Sequence, residues 1–363
     1  MPITRRRFVE GMGVTAGAAA IGVSTANAGT SAKSAASKIP REATSIGIHP
    51  LIWDNHSGFD PRPDYDLNHL EEWRRASVDY LSIDVGYDVL EWTMAVRNLA
   101  SYITWLEQRS DKYVLVKRAA DVLLAKRAGK MAITFDLEGM GALNGDAGMV
   151  SLYYRLGVRQ MLIAYNRNNV AGGGCHDEDH GLTDFGRRVI HEMNRVGMVL
   201  DCSHSGHRST MEAMAMARQP TIFSHSNPKA LRAHGRNITD DQIRACAHTG
   251  GVIAINGIGL FLPKRKSTAL AMIDCITYVR DLVGADHVGL GLDYSPSSTE
   301  QQIVSHPEYW PPAEYPADWP MKDVGPEVIP ELIAGLKERS WPEADLNKLL
   351  GGNFLRVAQA VWK

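Results

Sequence analysis

The sequence lacks long apolar runs, a strong charge of either sign and a dense set of cysteines. No apolar stretch approaches the ~20 residues that a membrane-spanning helix needs, so we expect no transmembrane segment in the mature chain. The formal net charge of −2 gives no electrostatic reason to expect nucleic acid or an acidic membrane surface as a partner. Four cysteines in 363 residues, with no C-x-x-C pair, are too few for a disulfide scaffold. Repeats of solenoid period are not apparent either.

The N-terminus has the three parts of an export signal in order. A basic start at 4–8 (TRRRF) precedes a weakly apolar Gly/Ala stretch, and Ala-Asn-Ala at 26–28 forms an A-x-A cleavage site. Paired arginines before Phe resemble a twin-arginine signal. We therefore predict a twin-arginine-type signal peptide at 1–28, a Ser/Ala/Lys linker at 29–43 and one catalytic domain at 44–363. The twin-arginine export machinery would then be a partner, and the mature protein would be periplasmic or otherwise exported. The alternative interpretation of residues 1–28 is a basic, disordered tail.

Short β-rich runs recur along the rest of the chain, with helical periodicity between many of them. Many of these runs are continuously apolar, as expected for parallel strands that are covered on both faces. Eight strands that alternate with helices predict a (β/α)8 TIM barrel, and a doubly wound open sheet is the alternative. No G-x-G-x-x-G follows the first strand. The predicted strands are 46–54, 78–85, 131–137, 158–164, 198–203, 220–224, 251–256 and 287–292. The predicted helical regions are 87–128, 181–196, 206–217, 239–248 and 267–283.

Histidines and carboxylates follow several of the predicted strands. Catalytic groups of a TIM barrel lie at the C-terminal ends of its strands, so these side chains should meet on one rim. A single histidine at a strand end is more often a hydrogen-bonded structural residue, but a set of five on one rim favours a metal site. Imidazole with carboxylate suits zinc or a neighbouring divalent metal, and a carboxylate can bridge two cations. The five residues are His56, Glu138, His204, His225 and Asp293.

Motifs from about residue 45 to residue 358 also resemble the membrane (renal) dipeptidases, peptidase family M19. The resemblance implies a (β/α)8 barrel, two zinc ions, a small peptide substrate and a homodimer. Its motifs occur in order along the chain, which makes it specific. They are FDLEGMGAL, LYYRLGVRQMLIAYNRNN, GLTDFGRRVIHEMNRVGMVLDCSH, PTIFSHSNPKALRAHGRNITDDQI, GGVIAINGIGLFL, HVGLGLDY and LGGNFLRV.

The resemblance assigns the metal ligands. Glu138 in DLEG corresponds to the carboxylate that bridges the two zinc ions. His204 in DCSH and His225 in SHSN correspond to ligands of the second zinc, and His56 to the histidine of a His-x-Asp pair at the first zinc. Manganese or cobalt could replace zinc, since all are divalent ions that accept nitrogen and oxygen ligands.

The resemblance also implies roles around the metals. Arg236 in GRN would bind the terminal carboxylate of the substrate, which suits a planar guanidinium. Asp293 in GLDY would carry a proton from the attacking water to the leaving amine. Tyr165 stands where the family usually has a histidine that steadies the oxyanion, and its hydroxyl could donate the same hydrogen bond.

The first metal position departs from the family pattern. Gly58 occupies the place of the aspartate in His-x-Asp, and DYSP replaces the usual D-F-D-G after the last strand. The site is therefore either binuclear with a substitute ligand or mononuclear, since three protein ligands plus water is a normal count for catalytic zinc. Candidate substitutes are Asp54, Asp60 and the loop at 175–180 (CHDEDH), although that loop more often would be a solvated surface segment.

These observations favour an exported metallodipeptidase that hydrolyses the amide bond of dipeptides or small peptide-like substrates with metal-bound hydroxide. One alternative is a specialised enzyme that matures an exported peptide metabolite such as a siderophore precursor. Another is a non-catalytic protein that binds peptide or metal on the same fold. The carboxylate at Asp293 argues against a pure binder, which would not need a proton carrier.

Overall fold

A computed structural model describes residues 50–296, 300–316, 318–320 and 322–363. The predicted signal peptide and linker lie outside these residues. The strands of the described part are all parallel to their neighbours. They are β1 Trp53–Ser57, β2 Tyr80–Tyr87, β3 Tyr113–Leu115, β4 Met131–Glu138, β5 Val158–Leu162, β6 Val199–Asp201, β7 Ile222–Phe223, β8 Val252–Ile255 and β9 Val288–Leu290.

Eight of these strands run in the order β1-β2-β4-β5-β6-β7-β8-β9 around one barrel. The short β3 pairs only with the first three residues of β4, and β5 pairs further along β4. Just beyond β9, the backbone N–H of Asp293 donates to the carbonyl of His56 in β1 at 3.1 Å. This hydrogen bond joins the two ends of the strand order, so the predicted (β/α)8 barrel is confirmed and the doubly wound sheet is excluded.

Helices connect the strands on the outside of the barrel. No helix among the described residues is both long enough and apolar enough to cross a membrane. The helices are α1 Leu70–Arg75, α2 Trp92–Glu107, α3 Ala119–Arg127, α4 Met149–Arg155, α5 Asp184–Val196, α6 His207–Met216, α7 Asp240–His248, α8 Thr268–Val283, α9 Glu300–Ser305, α10 Ile329–Glu338, α11 Glu343–Asn347 and α12 Asn353–Val361. Short 3-10 turns lie at Leu67–His69, Met140–Leu143, Gly259–Phe261, Ala285–His287 and Pro326–Val328, and a π-helical turn lies at Lys348–Gly352.

Two sequence predictions differ from the structure. The region 87–128 is not one helical segment, because β3 at Tyr113–Leu115 separates α2 from α3. The sequence pattern predicts the first strand at 46–54, of which residues 46–49 lie outside the described part, whereas β1 runs over Trp53–Ser57. His56 therefore lies within the strand, at the irregularity in the pairing of β1 with β2 between Asp54 and Ser57, rather than in a following loop.

The barrel interior combines an apolar floor with a polar upper layer. At the floor, Trp53 of β1 stacks on Tyr80 of β2 with ring centroids 3.5 Å apart. Above it, the Asn55 side-chain amide donates to Gln160 Oε1 of β5 at 3.0 Å, and Gln160 donates back to the Asn55 carbonyl at 3.0 Å. These pairs satisfy buried polar groups across the barrel and hold the strand ends that carry the site.

Candidate metal centre

Four of the predicted metal ligands converge at the C-terminal end of the barrel. Glu138 is the last residue of β4, and its Oε1 lies 3.3 Å from His204 Nε2 and 3.3 Å from His225 Nε2. The same oxygen lies 3.6 Å from Nε2 of His56. His204 and His225 stand in the loops after β6 and β7, so one carboxylate oxygen is the common neighbour of three imidazoles.

The donor atoms of this cluster fit a cation. Glu138 Oε1 and His225 Nε2 are buried, and neither has a hydrogen-bond partner among the described residues. An orphaned buried acceptor is costly, and a bound cation would satisfy both atoms at once. One atom each from His56, Glu138 and His225 lies within 4.8 Å of the others, a spacing that one metal ion can span. The residues present therefore fit a divalent metal with imidazole and carboxylate ligands.

Hydrogen bonds behind His56 fix its orientation. Its Nδ1 lies 3.0 Å from Asp136 Oδ1, which leaves Nε2 pointing at the cluster. Asp136 stands two residues before Glu138 on β4, so the pleat turns both side chains to the barrel interior. The hydroxyl of Ser82 on β2 donates to the second oxygen of Asp136. A carboxylate behind a ligating histidine sets its tautomer and strengthens it as a ligand.

The other two histidines are held in the same way by neutral groups. His225 Nδ1 lies 2.7 Å from the hydroxyl of Ser224, which in turn donates to Asp201 at the end of β6. His204 Nδ1 lies 2.7 Å from Asn166 Oδ1, so it carries the proton and leaves Nε2 free. Burial lowers the pKa of both His204 and His225 well below the usual 6.5. Both rings are therefore neutral at pH 7, the form that binds a metal.

Asp293 lies beside this cluster. Its Oδ1 is 3.6 Å from Nε2 of His56, and its backbone adopts the left-handed conformation with φ of 58°. Burial raises its pKa to about 6, although the charges of His56 and Arg236 lower it. A carboxylate with that pKa is ionised at pH 7 and still close enough to neutrality to exchange a proton.

A cavity of ≈ 280 Å³ opens over the cluster. His56, Glu138, His204 and Asp293 form its floor. Its walls are largely aromatic or apolar, and they include Trp310 and Tyr315 from the Pro-rich segment after β9. The wall residues are Phe59, Tyr87, Tyr165, Phe261, Trp310 and Tyr315. A volume of this size holds a small molecule of dipeptide dimensions and excludes a folded chain.

Comparison with known proteins identifies the family. The model of the membrane dipeptidases, peptidase family M19, matches residues 75–307. The chain belongs to this family. Dipeptidase tcpJ of Claviceps purpurea (strain 20.1) is 30% identical over 261 residues, which are 70% of this chain and 57% of tcpJ. Dipeptidase verJ of Clonostachys rogersoniana is 28% identical over 291 residues, which are 79% of this chain and 69% of verJ.

A solved structure extends the likeness to the whole barrel. A crystal structure of an amidohydrolase from Pseudomonas aeruginosa superposes with a TM-score of 0.77 at 27% identity. The match covers 86% of this chain and 97% of that chain. The resemblance seen in the sequence is thus confirmed. The family to which the chain belongs is thus a family of peptidases.

Two further predicted site residues of this M19 chain lie close to the cluster. The ring of Tyr165 stacks on His204 with centroids 4.1 Å apart and lines the cavity. Arg236 is 2% exposed, and its Nη2 donates to the carbonyl of His225 at 3.2 Å. It lines a neighbouring cavity of ≈ 200 Å³ that shares His204 with the first. Its Nε has no hydrogen-bond partner in the described part of the chain and remains available to an acceptor.

The carboxylates proposed as substitutes at the first metal position are engaged elsewhere. Asp54 accepts from the indole of Trp73 at 2.7 Å and from the backbone N–H of Leu292 at 2.8 Å, which ties β1 to β9. Asp60 pairs with Arg62 at 3.0 Å.

The loop at 175–180 is held in the same manner. Asp177 pairs with Arg167 at 2.9 Å, and Asp179 accepts from the hydroxyl of Ser209 at 2.7 Å. His176 lies 2.9 Å from the hydroxyl of Tyr315. Asp177, Asp179 and His176 of this loop are therefore engaged with partners away from the cluster.

Sequence reasoning missed Asp84 of β2, which lines the main cavity beside His56 and Gly58. Its side chain is buried, and burial raises its pKa to about 7, with Asp136 raising it further and His56 lowering it. The signal in the sequence is the second aspartate of VDYLSIDV, which lies near the C-terminal end of a predicted strand.

Proposed function

We propose that the protein hydrolyses the amide bond of dipeptides or small peptide-like molecules, with zinc as the first choice of metal. The observation that carries this proposal is Glu138 Oε1, a buried acceptor that has no hydrogen-bond partner among the described residues and that three imidazole nitrogens surround. It stands at the floor of a cavity of dipeptide size. Family membership and the dipeptidases among its relatives support the choice of substrate.

The protein's own residues supply the remaining chemistry. When bound, a divalent cation lowers the pKa of a coordinated water toward ~7, so that it attacks as hydroxide. Asp293 accepts a proton from the attacking water at Oδ1 and returns it to the amine nitrogen as the amide bond breaks. Its pKa of about 6 suits both transfers near neutral pH.

Two residues orient the substrate in this proposal. Tyr165 faces the cavity next to His204, and its hydroxyl donates to the oxygen that becomes negative during attack. Arg236 binds the terminal carboxylate through its Nε, which has no hydrogen-bond partner among the described residues. The apolar and aromatic wall opposite the cluster excludes water from the reacting atoms, which strengthens both interactions.

Export belongs to the same proposal and depends on the sequence of residues 1–28 alone. A twin-arginine signal carries folded proteins, so the metal would be loaded before the chain leaves the cytoplasm. Cell fractionation tests this step, with Arg5→Lys and Arg6→Lys together as the blocked variant. Accumulation of the wild-type chain in the cytoplasm would refute it.

The assay for hydrolysis uses the purified chain with a panel of L-L and L-D dipeptides and added Zn²⁺, Mn²⁺ or Co²⁺. We expect amine release by the wild type and a loss of at least about 100-fold with Asp293→Asn, which removes the proton carrier but keeps the shape of the side chain. Asp60→Asn is the control, since its carboxylate pairs with Arg62. Tight dipeptide binding without release of amine under any of the three metals would favour the binding protein instead.

A further inference from the structure

Asp84 is a buried carboxylate that the proposed reaction does not use. It is 4% exposed and lines the main cavity together with His56, Gly58 and Glu138. Its Oδ1 accepts from the backbone N–H of Gly86 at 2.9 Å. Burial favours the neutral form of this carboxyl, and a cation bound at this wall would stabilise its ionised form.

The register of the sheet puts Asp84 next to Gly58. β1 and β2 are parallel neighbours, and Ser57 pairs with Ile83. The next residues along the two adjacent strands are therefore Gly58 and Asp84. The family pattern places an aspartate ligand at the position of Gly58, so the missing carboxylate and Asp84 belong to neighbouring positions of one rim.

Strand alternation turns Asp84 to the barrel interior. Ser82, two residues earlier on β2, points inward because its hydroxyl donates to Asp136. Side chains two residues apart on a strand share a face, so Asp84 points inward one layer higher. It pairs in register with Asp136 on β4, and Tyr87 pairs with Glu138. Asp84 thus stands on the same wall as Glu138, on the β1 side where His56 lies.

The charge of the cavity supports a second cation. Three buried or nearly buried carboxylates face it, from Asp84, Glu138 and Asp293. One divalent ion leaves part of that negative charge unbalanced in a site of low dielectric constant. The buried and unpartnered Glu138 Oε1 independently marks the point from which a carboxylate can bridge two ions.

We propose that Asp84 supplies, from β2, the metal-ligating carboxylate that the family places at Gly58. The centre is then binuclear: His56 and Asp84 bind one divalent cation, His204 and His225 bind the other, and Glu138 bridges them. This inference builds on the proposed function, because it names the ligands of the same centre. With Asp84 as the substitute ligand, the proposal selects the binuclear centre over the mononuclear one, the two alternatives that Gly58 left open in the sequence.

The test counts metal ions and moves the carboxylate between the two strands. After loading with Co²⁺ and dialysis, we expect two ions per chain for the wild type and one for Asp84→Asn. The double variant G58D/D84N should again hold two ions. A Cβ at Gly58 would meet only Ser295 Cβ at 3.8 Å, so the new side chain has room. Asp60→Asn is the matched control and should hold two.

A spectroscopic readout separates two neighbouring ions from two distant ones. With Mn²⁺, the wild type and G58D/D84N should give the electron paramagnetic resonance spectrum of a spin-coupled pair, and D84N that of an isolated ion. One ion in the wild type, two ions in D84N, or loss of an ion in D60N would each overturn the assignment. If D84N does not fold, the wild-type count and the coupled signal of G58D/D84N decide the question.

Dipeptide hydrolysis, measured in parallel, keeps the two proposals apart. A wild type with one ion that still hydrolyses dipeptides would refute the role of Asp84 and leave the function standing. A wild type with a coupled pair of ions that hydrolyses no dipeptide would refute the function and leave the metal assignment standing.

Discussion

Asp136 offers the sharpest test of how the barrel prepares a metal ligand. Its Oδ1 lies 3.0 Å from His56 Nδ1, and the two side chains are 3% and 1% exposed, so water screens the contact very little. A hydrogen bond to a charged group contributes about 1.5–3 kcal/mol and a neutral one about 1 kcal/mol. Asp136→Asn keeps the shape and an acceptor for His56 but removes the charge. We therefore expect a loss of about 1–2 kcal/mol, or roughly 5- to 30-fold in metal affinity.

The assay is competition for Zn²⁺ against a chromophoric chelator, with the urea midpoint of the metal-free protein as the control for folding. Ser82→Ala is the matched variant, since it removes the other hydrogen bond of Asp136 without touching His56. We expect it to weaken zinc binding only a few-fold, because the charge of Asp136 and its contact with His56 both remain. Unchanged affinity in D136N, or an equal loss in S82A, would refute the argument that the charge behind His56 strengthens it as a ligand.

Three further changes test the scaffold, each by urea unfolding. Gly291→Ala should lower the free energy of unfolding by about 3 kcal/mol, because the new Cβ would lie 1.9 Å from the Ser224 carbonyl oxygen. A decrease below about 1 kcal/mol would contradict this close approach. Asp88→Ala should also lower the free energy of unfolding by about 3 kcal/mol, because Asp88 accepts from the backbone N–H groups of Gly141 and Tyr165 and from the side-chain amide of Asn169. An unchanged urea midpoint would contradict this expectation. Burial and the charge of Arg236 lower the pKa of His176 to about 4. The contribution of neutral His176 to the free energy of unfolding is therefore fully present above pH 6.5. It is lost as the pH falls toward 4, by at most about 3 kcal/mol. His176→Gln should flatten that pH dependence, and an identical slope in both proteins would show that another group causes it.

Long apolar strands were predictable from the sequence, and short ones were not. The strand predicted at 131–137 corresponds to β4 at Met131–Glu138, because most of its residues are apolar and the run is long enough to show a strand pattern. β3 has only the three residues Tyr113–Leu115 and pairs with a part of β4. So short a segment shows no periodicity of its own, and its pairing with β4 decides that it forms a strand.

The candidate metal ligands were predictable because they lie at or just beyond the C-terminal ends of strands, where a polar residue interrupts an apolar pattern. Asp136 and Asp84 lie inside strands, and their roles depend on which residue of the next strand they face. That depends on register, which a single sequence does not display. The same holds for Asp54, whose place at a strand end suggested a ligand but whose carboxylate bonds to Trp73 and Leu292.

The ligands of the centre are far apart along the chain, and this has a consequence for the order of events in folding. His56 lies on the first strand of the barrel, and the backbone bond that closes the barrel joins it to Asp293 beyond the last. Loops after β6 and β7 supply His204 and His225. A nascent chain cannot assemble these groups until nearly all of it has been synthesised and the barrel has closed. With the proposed ligands, the complete metal centre therefore forms only after the barrel has closed, and full metal content would report complete folding of the barrel.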